Sequence, residues 1–273
     1  MYIPLEDEVG DVIGKARRGL SLSVEELSAR SQVDIETIRA LEGYRVDAKK
    51  RQIERLAPVL ELDAGKLWEV ATEAWMPETV EGKLSGGEDV VGVWHEPDRV
   101  WSYVLGDAER CVVVDAGAPA EQIRLAIGGR MLAAILLTHT DADHVAALSE
   151  MDTADTPVYV HEIERPKIKT LVSVDRGLED GDLIKAGPFL FMALHTPGHS
   201  PGETCFRIGD GVFTGDALFA ASIGGTAMGP DAYPGHKRAV KDKVLSLPSN
   251  SKLFPGHGPQ TTVANELEHN PFF

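Results

Sequence analysis

"LTHTDADHV", residues 137–145, sets His139, Thr140, Asp141, Asp143 and His144 directly after the apolar run "AAILL". An apolar run without alternation suits a strand covered on both faces, and a polar cluster at its C-terminal end lies where open α/β sheets present ligands. Alone, such a loop predicts only a helix cap, with Asp141 or Asp143 capping "HVAALSE" and the histidines idle. Three further stretches change that weighting: "HTPGHSPGE" with His199, "FTGDALF" with Asp216 and "LFPGHGPQTT" with His257. Each sets a ligand-type side chain in a Gly- or Pro-marked turn after a strand-like run. Imidazole and carboxylate suit zinc, iron and manganese, and loops ending at one sheet rim can converge residues distant in sequence.

Working outward, β-prone runs recur from Val90 onward: "VVGVW", "VWSYVL", "CVVVD", "PVYVH", "FLFMALH", "ETCFRI", "GVFTG" and "KLFPG". Helical candidates lie between some of them, at "PAEQIRLAI", "DHVAALSE" and "GHKRAVKDKVLSL", so this half is α/β. Before residue 76 the apolar residues recur at helical spacing, as in Val9, Val12, Ile13, Ala16 and in Ile53, Leu56, Ala57, Leu60. Ser23 and Glu26 form a capping-box pattern and Asp34 heads the next segment, which predicts five short helices. The expected organisation is a helical domain over 1–76, a Gly- and Pro-marked linker over 77–87, and an α/β domain over 88–273.

Composition narrows the function. The N-terminus lacks a basic segment followed by an apolar stretch, and no apolar run approaches the roughly 18 residues that span a bilayer. A soluble, cytoplasmic protein with no membrane partner is expected. Cys111 and Cys205 are the two cysteines, too few for a disulfide framework or a Cys-rich zinc site, and are expected as buried thiols. A net charge of −16 argues against broad affinity for nucleic acid or anionic lipid. No Walker motif occurs, so P-loop phosphoryl transfer has no support.

On these motifs, residues from about 88 to 273 resemble the metallo-β-lactamase superfamily. The resemblance rests on Asp115 in "VVVDAG", the loop from His139 to His144, His199 in "TPGHS", Asp216 in "TGDALF" and His257 in "PGHGP". It implies a four-layer αββα sandwich with a mono- or dinuclear metal site on one edge, and the tail looks most like the glyoxalase-II-like hydrolases of the superfamily. Carried over, it implies one metal held by His139, Asp141 and His199, a second held by Asp143, His144 and His257, and Asp216 bridging. The family loop is usually His-x-His-x-Asp-His, whereas position 141 here is Asp. The extra carboxylate makes the site less positive and tilts the expected pair of divalent ions from zinc toward iron or manganese.

The expected function is a metallo-hydrolase in which activated water attacks an ester, thioester or related centre of a small-molecule substrate. Asp143 is the expected catalytic residue, able to orient the nucleophile or carry its proton. Asp115 is expected to brace the ligand loops rather than touch metal. His95, His161, His195 and His269 read as structural or exposed, and His236 with Tyr233 lies in a stretch that lines the substrate pocket in relatives.

Residues 8–72 resemble a repressor-type helix-turn-helix, with "SVEELSAR" as first helix and "DIETIRALE" in the recognition position. Asp34 and Glu36 open that recognition helix, and residues 1–75 hold eleven Lys or Arg against fifteen Asp or Glu, so nucleic acid is a disfavoured partner. A DNA-binding regulator with a metal-binding sensor domain is the rival reading, kept alive by Arg17, Arg18, Arg39, Arg45 and "KKR" at 49–51. A third reading is a mono-iron persulfide-dioxygenase-like enzyme using His139, His199 and Asp216. A helical appendage also makes a homodimer the expected assembly.

Overall fold

The computed structural model of the chain describes residues 2–273 apart from 152, 154, 175 and 227–231. Five helices come first: α1 Val9–Gly19, α2 Val24–Ser31, α3 Ile35–Glu42, α4 Lys50–Val59 and α5 Ala64–Ala71. Their starts reflect the local chemistry. Ser23 and Glu26 exchange the two hydrogen bonds of a capping box, and the Asp34 carboxylate accepts from the amides of Glu36 and Thr37. The α2–α3 turn passes through Gln32 in the left-handed region, at φ 56°.

The remainder forms two six-stranded mixed sheets. The first holds, in spatial order, β1 Asp89–His95, β2 Val100–Gly106, β3 Arg110–Val114, β4 Met131–Leu136, β5 Val158–His161 and β6 Arg176–Leu178. Its outer face carries α6 Ala120–Ile127, α7 Ala142–Val145 and α8 Arg165–Ile168. The second runs from β7 Leu183–Ala186 through β8 Phe189–His195, β9 Thr204–Ile208, β10 Gly211–Gly215 and β11 Lys252–Pro255 to β12 Thr261–Thr262. Helices α9 Ala232–Lys243 and α10 Val263–His269 belong to its outer side.

Period-two alternation assigns the layers. Trp101, Tyr103 and Leu105 of β2 face inward and meet Phe191, Phe206, Phe213 and Phe254 of the second sheet. Val104, Val113 and Ile135 face the other way, onto α6, α7 and α8. Val212 and Leu253 leave the second sheet outward and join Val12, Ile13, Leu27, Ile38 and Leu56 of the N-terminal helices, with Val240 of α9 and Val263 of α10. The helical region therefore shares one apolar core with the outer side of the second sheet. Gly19 marks how close that approach is: a β-carbon there would lie 2.4 Å from the Tyr233 ring. Within the span expected as a linker, Leu84 is buried between the sheets.

Some expectations needed correction. "DHVAALSE" does not form one helix; it breaks into the single turn of α7 and a 3₁₀ turn at Leu148–Glu150. The His144 carbonyl accepts the Ala116 amide and the Ala147 amide donates back to Ala116, so the loop after β3 takes the groups a longer helix would use. Strands β6, β7 and β12 and helices α8 and α10 were not anticipated; the strands hold four residues or fewer, too short for periodicity to register. Cys111 and Cys205 are buried free thiols, as expected. Among the described residues no helix is long and apolar enough to cross a membrane.

Candidate metal centre

The four ligand-bearing turns meet at one edge of the sandwich. The signature loop comes after β4, His199 after β8, Asp216 directly after β10 and His257 after β11. Two glycines let the backbone come this close. Gly215 adopts φ 48°, and a β-carbon there would press within 2.6 Å of Thr138 and Glu203; one on Gly256 would strike Asp216 Oδ1 at 2.5 Å.

Among the described residues, three groups of side chains offer convergent ligand atoms, all within 4.8 Å of one another in each group: His139, Asp141 and His199; His139, His144 and Asp216; Asp143, His144 and His257. On one side, His199 Nε2 lies 3.3 Å from Asp141 Oδ2, and His139 Nε2 lies 3.9 Å from the same oxygen. On the other, His257 Nε2 lies 3.4 Å from Asp143 Oδ2 and 3.3 Å from His144 Nε2. Asp216 stands between. Its Oδ2 is 3.5 Å from His199, while its Oδ1 is 3.2 Å from His144 and 3.6 Å from His257. All seven residues expected as ligands are thus brought together.

The helix-cap alternative fails at Asp141. It occupies the N-cap position of α7, with φ −65° and ψ 150°, yet its side chain makes no capping hydrogen bond and turns to His199 instead. Among the described residues, two buried atoms at the centre, His139 Nε2 and Asp216 Oδ1, find no hydrogen-bond partner of good geometry. Unsatisfied buried polar atoms are costly, and a divalent cation would satisfy both. The residues present therefore fit a metal.

The imidazoles are held from behind so that Nε2 points inward. His144 Nδ1 meets Asp115 Oδ2 at 3.0 Å, His199 Nδ1 donates to the Gly225 carbonyl at 3.0 Å, and His257 Nδ1 donates to the Arg99 carbonyl at 2.7 Å. Asp115, at φ 56°, also accepts from the amide and hydroxyl of Thr138, both at 2.8 Å, which is the bracing geometry anticipated for it.

Behind His139 stands a residue that no sequence motif marks. Glu203 is fully buried, 3.5 Å from His139 Nδ1, and accepts the Asp216 amide at 3.1 Å. Glu164 was not anticipated either; it is fully buried and ties the Thr140 hydroxyl to the Gly202 amide, so it clamps the signature loop to the His199 loop. Both residues stand among ordinary loop polars in the sequence; the faint signal for Glu203 is that it leads directly into the apolar strand β9.

Protonation is set by these contacts. The hydrogen bond to His199 holds Asp141 down to about 2. Burial alone would lower His199, but the Asp141 hydrogen bond and the Asp216 charge raise it to about 9. Burial would likewise raise Asp216, but the charges of His144 and His257 hold it well below the usual carboxylate range. Glu203 goes the other way, burial pushing it well above that range. Among the groups that could bind a cation, His199 therefore holds its proton tightly, as does Glu203 behind them, and metal uptake would release protons.

His236 and Tyr233 do not line the site, although their stretch does so in relatives. Both are buried side chains of α9; His236 Nε2 donates to the Ala217 carbonyl at 2.8 Å and Tyr233 packs on Gly19. Residues 229–231 of the same stretch lie outside the described residues. The other histidines are structural: His161 and His195 stack with ring centroids 4.0 Å apart, His95 pairs with Asp98, and His269 stacks on Trp75 while its Nδ1 meets Glu69.

Known proteins share this arrangement's frame. The family described as the metallo-beta-lactamase superfamily matches residues 95–257. The probable metallo-hydrolase YqgX of Bacillus subtilis is 32% identical over 196 residues, which cover 64% of this chain and 93% of that protein. The hydroxyacylglutathione hydrolase GloC of Haemophilus influenzae is 29% identical over 192 residues, covering 63% and 91%. Among solved structures, TTHA1623 in a di-iron-bound form superposes with a TM-score of 0.54 at 30% identity, covering 73% of this chain and all of that one. The five N-terminal helices precede the matched span.

Proposed function

This chain belongs to the metallo-β-lactamase superfamily, and from that premise we propose that it is a binuclear metal-dependent hydrolase of the glyoxalase-II-like kind, acting on a small thioester or ester. The observation that carries the reading is Asp216, whose two oxygens face two different histidine groups, Oδ2 toward His199 and Oδ1 toward His144 and His257. That placement supports a carboxylate shared by two cations. The di-iron form of TTHA1623 and the thioester named for GloC support the same choice.

Residues His139, Asp141 and His199 would hold one ion, and Asp143, His144 and His257 the other, with Asp216 common to both. Divalent ions so bound supply a polarised electrophile and an activated water. The chain does the rest. Buried His139 and His144 keep the inner wall dry, and Asp141 and Asp143 are the partly exposed ligands that face an approaching substrate. Asp143, its Oδ2 3.4 Å from His257, orients the attacking water and takes up its proton. Water oxygen bonds to the acyl carbon, the carbon–sulfur bond breaks, and the departing thiolate takes that proton.

The charge on α3 speaks against DNA reading. Its Arg39 is spent on Glu25 and Glu36, at 3.0 and 2.9 Å, and Asp34 and Glu36 head the helix.

The experiment is metal content by plasma mass spectrometry on freshly purified protein, then a thioester and ester panel. The expected result is about two equivalents per chain, with turnover. His199→Ala and Asp216→Ala should each lose metal and turnover together, and full activity in either sinks the proposal. One iron per chain moves the assignment to a dioxygenase, and no uptake even after reconstitution overturns the metal-dependent reading.

A further inference from the structure

The N-terminal helices, which precede the family's matched span, reach the metal centre through a short chain of contacts. Lys15, in the middle of α1, donates from Nζ to the Ile223 carbonyl at 2.9 Å and pairs with Asp7 Oδ2 at 2.5 Å. The same Asp7 oxygen accepts the Ser222 hydroxyl. Lys15 and Asp7 thus hold both ends of the step from Ser222 to Ile223, and the pair is largely buried, with 15% and 6% of the side chains exposed.

The next two residues, Gly224 and Gly225, connect that step to the metal ligands. The Gly225 carbonyl accepts His199 Nδ1, and Gly224 is wedged so tightly that a β-carbon would lie 2.0 Å from the Asp216 carbonyl and 3.1 Å from His199 Cβ. The segment 222–225 therefore backs both His199 and Asp216. A parallel contact serves the other side: the Arg99 guanidinium donates to the Leu5 carbonyl at 3.1 Å and meets Glu6 at 3.4 Å, while its own carbonyl holds His257 Nδ1. Lys15 also sits 4.9 Å over the Phe219 ring, which packs edge-on to His257.

We propose that the helical region is a built-in brace of the metal centre, with Lys15 and Asp7 as positioning residues for His199 and Asp216. Metal binding and ordering of α1 are then reciprocally coupled: whatever loosens residues 5–19 weakens metal binding, and metal uptake tightens residues 5–19. The inference rests on the two-metal reading above.

The test uses the full-length protein. In one arm, metal-free protein is titrated with Zn²⁺ against a chromophoric chelator. In the other, amide exchange across residues 3–19 is measured with and without Zn²⁺. Wild type should show slower exchange in α1 when metal is bound. Lys15→Met combined with Asp7→Asn removes both charges and leaves no buried ion unpaired; it should weaken one Zn²⁺ equivalent about tenfold and abolish the metal-dependent protection of α1. Ser222→Ala, which deletes one hydroxyl and spares the ion pair, should weaken the same equivalent by a smaller factor. A merely structural role would lower the melting temperature and leave stepwise metal affinity unchanged. Unchanged affinity in both variants, or no metal-dependent protection in wild type that does bind Zn²⁺, overturns the proposal. Wild type that takes up no metal overturns the two-metal reading itself, and this inference with it, before any variant is compared.

Discussion

Replacing Asp141 with Asn tests the departure from the family loop most directly, because the side chain keeps its shape and loses its charge. In the metal-free protein, Asp141 Oδ2 lies 3.3 Å from His199 Nε2, and that contact leads the causes raising the imidazole to about 9 against the opposing effect of burial. Two unit charges at that distance interact by about 1.3 kcal/mol in bulk water, and one pKa unit corresponds to about 1.4 kcal/mol. Asp141 is 52% exposed, which keeps the figure near the aqueous limit; His199, 19% exposed, draws it upward. The His199 pKa should therefore fall by about 1 to 2 units in Asp141→Asn, read from its imidazole resonances in a metal-free NMR titration. Metal binding should change with it. One equivalent loses about tenfold or more in affinity while the equivalent at Asp143, His144 and His257 is retained. Asp141→His, which restores the usual family loop, should rescue that equivalent and shift preference toward zinc. An unshifted His199 together with unchanged two-equivalent binding in Asp141→Asn would refute the reasoning, leaving Asp141 an ordinary solvated carboxylate.

Buried residues give three further expected outcomes. Burial holds the His236 imidazole down to about 4. Its folded pKa is depressed, so the stability it contributes is present above about 6.5 and lost as pH falls toward 4, by at most about 3 kcal/mol. His236→Gln cannot titrate and should lose less urea stability between pH 7 and pH 4 than wild type; equal losses would refute the assignment. Phe191 is fully buried between the sheets, and Phe191→Ala should cost about 3–5 kcal/mol and on the order of 10 °C in melting temperature, measured by calorimetry. Glu203→Gln keeps the hydrogen-bonding shape behind His139 and removes the acidic proton. Calorimetry in buffers of different ionisation enthalpy should find about one proton fewer released on metal uptake than in wild type.

Local chemistry is the part of this protein that its sequence makes legible. The ligand turns announce themselves because a His or Asp flanked by Gly or Pro at a strand end is uncommon without a use, and the capping signals at Ser23 and Asp34 act within three residues of themselves. Glu203, Glu164, Asp7 and Lys15 gave no such notice. Asp7 and Lys15 stand in the charge-rich stretch "LEDEVGDVIGKARR", where a charged residue reads as solvated surface. Their roles come from contacts over 200 positions away in sequence, to Ser222 and Ile223. The misreading of "DHVAALSE" has the same origin: its periodicity is helical, and a tertiary backbone contact to Ala116 ends the helix early.

The electrostatics of the site show why the hidden layer matters as much as the legible one. Asp141, Asp143 and Asp216 point at the place where cations would sit, and Asp115 and Glu203 stand one layer behind, each on a different buried histidine. A carboxylate behind an imidazole makes that nitrogen a stronger donor and fixes which nitrogen faces inward. The two supports differ in environment. Asp115 is satisfied by the Thr138 amide and hydroxyl, whereas burial drives Glu203 and His139 toward their neutral forms. Filling the His139 side would then draw a proton out through Glu203, while the His144 side already has an anchored carboxylate behind it. Both sides should consequently gain metal affinity as pH rises, because, against the opposing effect of burial, the Asp216 charge raises His144 and His257 on one side as the Asp141 hydrogen bond raises His199 on the other, and each must yield its proton to a cation.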